Sequence, residues 1–215
     1  MMKQIRILPA AVLIFGLALG QTAAAESKES EGNPGVFIEQ LAIQAIKVLS
    51  SPEGSLKERE DKFRTLLRDD FAMNDIGRFV VGPYWRRMSP EQRDEYLKLF
   101  SEWILKTYSI RLGGYSGEQF QVLSTSPAGQ RDVLVKTRIN KTSGNGFNAS
   151  WRVRKIDGGY KIIDIYVEGV SMAITQRSEF ESILQRQGID GLLSMLKDKV
   201  QKLSTPSCGA AARNW

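Results

Sequence analysis

The chain has no histidine and only one cysteine, and each shortage excludes a class of chemistry. Without histidine, neither a Ser-His nor a Cys-His nucleophile pair can form, and the commonest zinc ligand is missing. Cys208 has no partner for an intramolecular disulfide, so packing must hold the fold together. It lies in a tail of small residues, SCGAAARNW, that we expect to be disordered. The sequence therefore predicts no catalytic residues, no metal site and no cofactor.

A hydrophobic run long enough to span a bilayer is also missing. The apolar stretch near the N-terminus, Ile7 to Gly20, has 14 residues, whereas a transmembrane helix needs about 20. Lys3 and Arg6 precede this stretch and Ala23 to Ala25 follow it, which is the pattern of a secretory signal peptide. We expect residues 1–25 to be removed after Ala25 and the remaining 190 residues to be exported to the periplasm.

The charge balance is mildly basic and lacks any dense basic block. Lys and Arg number 30 against 24 Asp and Glu, a net charge of +6 that falls to +4 without Lys3 and Arg6. Such a surplus suits contact with anionic lipid head groups or with an acidic protein. It does not suit nucleic acid, which usually selects a concentrated basic stripe. We expect a monomer that binds no nucleic acid.

Helical patterns occupy the first half of the chain. Residues 26–35 are polar and contain glycine, so we expect a flexible lead, then one domain at 36–203 and a disordered tail at 204–215. Apolar residues recur at helical spacing from Ile38 to Leu49, and a short helix is predicted from about Asp75 to Val81. Serine followed three residues later by Glu or Gln marks further helix starts, at Ser55 and Glu58, Ser89 and Gln92, and Ser178 and Glu181. Asp190 is predicted to cap the last helix.

Beyond residue 114 the hydrophobic period changes from 3.6 to 2, which predicts strands. We expect four antiparallel strands, at Gln119–Ser124, Asp132–Asn140, Asn148–Ile156 and Tyr160–Glu168. The predicted core face carries Val133, Val135, Thr137, Ile139, Ala149, Trp151, Val153, Ile163, Ile165 and Val167. The opposite face carries Lys136, Arg138, Arg152, Arg154 and Asp164. Helices, then a strand meander, then helices predict an α+β domain whose curved four-stranded sheet is covered on one face.

Three segments give the chain a resemblance to a known family. They are IGRFVVGPYWRRMSPEQRDEYLKLF at 76–100, RLGGYSGEQFQV at 111–122 and DIYVEGVSMAITQRSEFESIL at 164–184. In this order they resemble the MlaC family, also called the toluene-tolerance or Ttg2-type family, of periplasmic lipid carriers. Within it the chain looks nearest to the hopanoid-associated branch known as HpnM.

The resemblance implies a sheet of the nuclear-transport-factor type, packed with helices around a deep apolar cavity that holds phospholipid acyl chains. It also implies transport of phospholipid, or of a hopanoid-type lipid, between the inner and outer membranes. The implied partners are an inner-membrane substrate-binding ring linked to an ABC transporter and an outer-membrane lipoprotein complex. The glycine-rich loop at 143–146 and the tail depart from the family pattern.

Candidate lipid-contacting residues follow from this resemblance. The predicted lining is Phe71, Ile76, Phe79, Val80, Tyr84, Trp85, Phe100, Trp103, Ile104, Val133, Val135, Trp151, Val153, Ile163, Ile165, Val167, Val170 and Met172. Candidate head-group ligands are Arg78, Arg86, Arg87, Arg111 and Arg177, because guanidinium pairs with phosphate in a bidentate manner. We expect Val135→Trp or Val153→Trp to fill the cavity.

Two other functions stay open at this stage. A small isomerase-type enzyme would use Asp164 between Tyr160 and Tyr166, but alternation places these on the face opposite the core, where we expect solvent. An adaptor that carries no lipid would bind protein through Arg138, Arg152 and Arg154.

Overall fold

The computed structural model describes residues 32–51, 55–112, 117–141 and 145–204. The predicted signal peptide, the Cys208 tail from residue 205 onward and the first part of the 26–35 lead lie outside the described residues. The end of that lead is helical rather than flexible, because the Asn33 side chain accepts a hydrogen bond from the Gly35 amide at 2.9 Å. The first helix therefore begins at Pro34, two residues before the predicted domain start.

Four α-helices and a 3-10 helix form the first half of the domain. They are α1 (Pro34–Leu49), α2 (Leu56–Asp70), α3 (Met73–Val81), the 3-10 helix (Gly82–Arg87) and α4 (Pro90–Leu112). The capping box predicted at α2 is confirmed, since Ser55 and Glu58 exchange side-chain hydrogen bonds with each other's amides. At α4, Ser89 and Gln92 do the same.

The sheet has five antiparallel strands in the order β1-β2-β3-β4-β5, not the predicted four. They are β1 (Gln119–Ala128), β2 (Asp132–Asn140), β3 (Phe147–Ile156), β4 (Gly159–Val167) and the two-residue β5 (Val170–Ser171). A bulge in β4 corrects the predicted inner face, because Arg152 pairs with Asp164 while Val153 pairs with Ile162. Ile162 is therefore the fully buried residue, and Ile163 is only half-buried.

Helix α5 (Met172–Ser204) spans both of the helices predicted at Ser178 and at Asp190, and it begins six residues before the predicted cap Ser178. Ser171 is the actual cap, since its hydroxyl accepts the Ile174 amide at 3.0 Å. Ser178 lies inside the helix and donates to the Ile174 carbonyl, so the predicted Ser178–Glu181 capping box is wrong. The expected break occurs at Gly188, whose φ of 68° suits glycine.

Three groups of buried side chains make up the core. The helical cluster joins α3, α4 and α5, with Tyr96, Phe100 and Phe180 in mutual ring contact. The sheet cluster packs Ile38 and Leu41 of α1 against the inner face of the sheet. The third cluster fills the space among α1, α2 and α4. Across the residues that the structure describes, no helix is both long enough and apolar enough to cross a membrane.

Candidate functional site

A cavity of about 580 Å³ lies where the three core clusters meet. Each cluster contributes to its wall: the helical cluster through Val80 and Phe100, the sheet cluster through Ile38, and the third cluster through Phe63 and Leu67. These elements bury apolar side chains toward one another without closing the space between them. The result is a mainly apolar chamber between the sheet and the helices.

The first two helices form a large part of the helical wall of the cavity. From α1 and α2 the cavity is lined by Ile38, Leu41, Ala42, Ala45, Ile46, Leu49, Phe63 and Leu67. Ala42 and Ala45 stand on the lining side of α1, where a larger side chain would project into the chamber. Small residues at these two positions therefore help to keep the cavity open.

Five lining residues carry charged or amide side chains: Glu118, Gln119, Lys141, Asp164 and Gln176. The first three stand at the β1 start and just after β2, so they belong to one end of the sheet. The Lys141 ammonium lies 5.9 Å from the Phe147 ring centroid, at the same end. The lining is thus mainly apolar, and three of its five polar side chains belong to one end of the sheet.

Asp164 is buried, which corrects the prediction that it lies on a solvated strand face. Only 9% of it is exposed, because the start of α5 packs over this part of β4. Its carboxylate accepts the Ser171 hydroxyl at 2.5 Å and the Ala173 amide at 3.0 Å. Both oxygens therefore bind the first turn of α5, where a negative charge is favourable.

The two tyrosines of the candidate enzyme site also have structural contacts. Tyr160 packs its ring against Phe37 at 6.0 Å and donates to the Gly32 carbonyl at 3.4 Å. Tyr166 interacts with Arg152 on the outer face of the sheet. The structure therefore does not bring Tyr160, Asp164 and Tyr166 together as an acid–base group.

Nine of the eighteen predicted lining residues border the cavity: Phe71, Ile76, Val80, Phe100, Ile104, Trp151, Ile165, Val167 and Met172. They come from α3, α4, the inner face of the sheet and the start of α5, together with Phe71, which follows α2. Trp151 keeps its ring N–H satisfied by donating to the Thr137 hydroxyl at 3.0 Å. Its ring can therefore face an apolar space without an unpaired donor.

The other nine predicted lining residues lie elsewhere: Phe79, Tyr84, Trp85, Trp103, Val133, Val135, Val153, Ile163 and Val170. Trp103 stacks on Phe180 at 5.8 Å inside the helical cluster. Val135 and Val153 are fully buried between the sheet and α1, so tryptophan at either position would overpack the core instead of filling the cavity. Phe79 and Val170 are exposed, at 44% and 54%.

None of the candidate head-group arginines with a described side chain lines the cavity. Arg78 lies over the Trp85 ring at 5.7 Å, and Arg87 over the Tyr84 ring at 5.0 Å. Arg177 lies over Phe79 at 5.2 Å, and Arg86 is exposed; the Arg111 side chain lies outside the described residues. The assignment of these arginines to a lipid head group therefore stays a prediction.

The sequence prediction missed the walls supplied by α1 and α2 and several residues at the sheet ends. The missed apolar residues outside α1 and α2 are Met73, Tyr108, Phe120, Ile139, Phe147 and Ala173. A signal for α1 was present, since the stripe from Ile38 to Leu49 includes two alanines where larger core residues would fill space. No comparable signal marks the sheet-end residues, because their positions depend on strand register.

The outer face of the sheet holds a partly buried ionic cluster centred on Asp132. Asp132, whose side chain is 3% exposed, lies 2.6 Å from both the Arg152 and the Arg154 side chains. Burial alone would raise the pKa of Asp132, but hydrogen bonds from Arg154 and Arg152 hold it below its ordinary value. Arg138 hydrogen-bonds Asn140 and Asn148. The predicted adaptor surface is therefore largely used within the fold.

Comparison with known proteins agrees with this architecture. The sequence model of the family described as MlaC protein matches residues 39–198. A protein of Haemophilus influenzae, the intermembrane phospholipid transport system binding protein MlaC, is 27% identical over 182 residues, covering 80% of this chain and 85% of that protein. The toluene tolerance protein ttg2D of Pseudomonas putida is 20% identical over 152 residues, covering 64% and 69%.

A solved structure shares the fold. It is the phospholipid-binding protein from Ralstonia solanacearum in complex with a phospholipid, with a TM-score of 0.71 and 19% identity. The match covers 81% of this chain and all of that one. The resemblance predicted from the sequence is confirmed, while the hopanoid-associated branch stays a prediction. Because the family match extends over more than half of its residues, the chain belongs to the MlaC protein family.

Proposed function

We propose that this protein is a carrier that holds the acyl part of a phospholipid in its cavity and ferries it across the periplasm. The observation that carries the proposal is the mainly apolar chamber of about 580 Å³ between the sheet and the helices. The names of two similar proteins support phospholipid as the cargo. One is a phospholipid-binding protein, and the other belongs to an intermembrane phospholipid transport system.

The cavity volume supports one lipid per protein. An engineered apolar cavity of about 150 Å³ holds one benzene molecule, which corresponds to about 25 Å³ per carbon atom. By this measure, a cavity of about 580 Å³ holds about 23 carbon atoms. That is more than one acyl chain of about 16 to 18 carbons and less than two. One chain would be enclosed, with part of the second at the mouth.

A mainly apolar lining suits a carrier that must both load and unload. Burying about 16 methylene groups is worth about 13 kcal/mol relative to water, at about 0.8 kcal/mol for each group. A bilayer solvates the same groups equally well, so exchange between bilayer and cavity is close to neutral. Strong polar anchors would shift that balance toward permanent retention of the lipid.

The proposed cellular location and partners follow from the family resemblance. Removal of residues 1–25 would deliver the protein to the periplasm, between the two membranes that exchange lipid. The proposed donors and acceptors are an inner-membrane substrate-binding ring linked to an ABC transporter and an outer-membrane lipoprotein complex. A hopanoid-type cargo is the second candidate, and a rigid polycyclic molecule would need the same chamber in a flatter form.

The experiment is to extract lipid from protein purified from the periplasm and to measure its stoichiometry by mass spectrometry. We expect about one lipid per protein. Ala42→Trp and Ala45→Trp, which place a large side chain in the chamber, should strongly reduce the bound lipid. Ile43→Trp is the matched control, because Ile43 is on the same helix and 60% exposed; its lipid content should equal that of the wild type.

Two results would contradict the carrier. Protein without stoichiometric lipid would favour an adaptor, and equal lipid in the Ala45→Trp and Ile43→Trp proteins would place the cargo outside this chamber. The enzyme alternative has its own test, which is turnover of a small ketone or ester that is lost in Asp164→Asn.

A further inference from the structure

Five arginines surround three aromatic side chains on the outside of the helical part. This surface, the arginine face, is built from α3, the 3-10 helix and the starts of α4 and α5. Its members are Arg78, Arg86, Arg87, Arg93 and Arg177 with Phe79, Tyr84 and Trp85.

Stacking on aromatic rings fixes most of these guanidinium groups. Trp85 has two of them over its ring, Arg78 at 5.7 Å and Arg93 at 5.3 Å. Arg93 also donates to the Trp85 carbonyl at 2.9 Å. A guanidinium that stacks on a ring keeps donors at its edges for a second partner. The face therefore presents oriented cationic donors to its surroundings.

Within the described residues, none of the five arginines forms an ion pair. On the sheet, by contrast, Arg152 and Arg154 both form ion pairs with the Asp132 carboxylate. On α4 and α5, Glu91 accepts the Ser89 hydroxyl and Glu179 accepts the Gln176 amide. The positive charge of the face is thus left without ion-pair compensation inside the fold.

Exposed apolar side chains stand among these cations. Phe79 is 44% exposed beneath Arg177, and Ile174, one turn before Arg177 on α5, is 55% exposed. The same two helices also contribute to the cavity wall, through Ile76 on α3 and Met172 on α5. The arginine face therefore lies directly outside the wall that encloses the proposed cargo.

We propose that the arginine face docks the protein on the surface of an anionic membrane leaflet, with Phe79 and Ile174 entering the head-group layer. Arginine pairs with phosphate, and aromatic and aliphatic side chains are favoured at the boundary between head groups and acyl chains. None of the residues of the face lines the cavity, so docking through the face leaves the chamber wall in place. This proposal rests on the proposed function in one respect: a lipid carrier has to approach a membrane.

The test is co-sedimentation of the full exported chain with vesicles of phosphatidylcholine alone or mixed with phosphatidylglycerol. The wild type should bind the anionic vesicles at low salt and release them near 1 M salt, where the Debye length is about 3 Å. Arg86→Glu combined with Arg87→Glu should weaken binding by at least about thirtyfold, since the loss of each arginine near an anionic surface costs about fivefold and each new carboxylate adds repulsion. Neither side chain touches the cavity.

The matched control reverses the same amount of charge elsewhere, with Lys136→Glu combined with Lys155→Glu on the sheet, where both are exposed. This protein should bind within about threefold of the wild type, since its changed charges are on the sheet and not among the arginines and aromatic residues of the docked face. Equal loss in both double variants, equal binding to neutral vesicles, or no binding of the wild type would overturn the proposal. In the last case an acidic protein becomes the better partner for the face.

The amount of lipid extracted from each variant separates this proposal from the proposed function. Lipid-loaded protein that ignores anionic vesicles would refute docking and leave the carrier intact. Protein that binds vesicles through the arginine face but contains no lipid would refute the carrier and support docking.

Discussion

The helical cluster and the chamber beneath the sheet use similar apolar residues but reach opposite packing outcomes. In the helical cluster, Tyr96, Phe100, Trp103 and Phe180 fill the space with rings at centroid distances of 5.7 to 6.4 Å. Burial raises the pKa of Tyr96, and its hydroxyl donates to the Gly77 carbonyl at 2.9 Å. Beneath the sheet, about 580 Å³ stays unfilled. The helical cluster is thus packed to fill its space, whereas the chamber leaves room for a ligand.

The largest expected effect tests whether the two regions differ in stability. Phe180→Ala should lower the free energy of unfolding by about 4 kcal/mol, because a filled ring cluster leaves a cavity when one ring is removed. Phe147→Ala should cost about 1 kcal/mol, since Phe147 is half-buried and already borders the chamber. Urea denaturation of both variants measures the difference. Equal losses would mean that the chamber wall is packed as tightly as the helical cluster.

The next prediction concerns the sheet. Its outer face is held by the ion pairs of Asp132, whereas its inner face borders the open chamber. Asp132→Asn should cost about 2 kcal/mol at neutral pH, because it weakens hydrogen bonds to two charged groups. The folded-state pKa of Asp132 is lowered, so its contribution is present above the ordinary aspartate pKa and is lost as the pH falls through the lowered value.

Unfolding free energies of wild type and Asp132→Asn, measured at pH 7 and near pH 2, check this sign. The gap between the two proteins should shrink as the pH falls below the ordinary aspartate pKa toward the lowered folded-state pKa. A gap that stays constant from neutral to acid pH would show that the ion pairs contribute nothing to stability.

The smallest expected losses of stability come from removing one helix cap near the helical cluster and one at the edge of the chamber. Ser89→Ala removes an exposed cap of α4 and should cost about 1 kcal/mol. Ser171→Ala should cost up to about 2 kcal/mol, since the buried Asp164 carboxylate also loses a donor at the chamber edge. Thermal unfolding of both variants gives the ranking, and the reverse order would refute a structural role for Asp164.

Local sequence signals predicted the elements well but not the chamber. Strand β2 and the caps at Ser55 and Ser89 follow from alternation and capping chemistry, which act over a few residues. The inner face of β4 was not predicted correctly. A bulge turns Ile162 inward in place of Ile163, and that bulge depends on the pairing of β4 with β3. Trp103 was assigned to the cavity because an aromatic stripe does not reveal which of two cores it fills.

The central claim is that acyl chains occupy the chamber beneath the sheet and not the helical cluster, and tryptophan fluorescence tests it most directly. Single-tryptophan proteins would retain either Trp151, which lines the chamber, or Trp103, which stacks on Phe180, with the other tryptophans replaced by phenylalanine. Each is loaded with a phospholipid whose acyl chains carry bromine, a quencher that acts at contact. Strong quenching of Trp151 with little quenching of Trp103 is the predicted result; equal quenching, or quenching of Trp103 alone, would contradict the account.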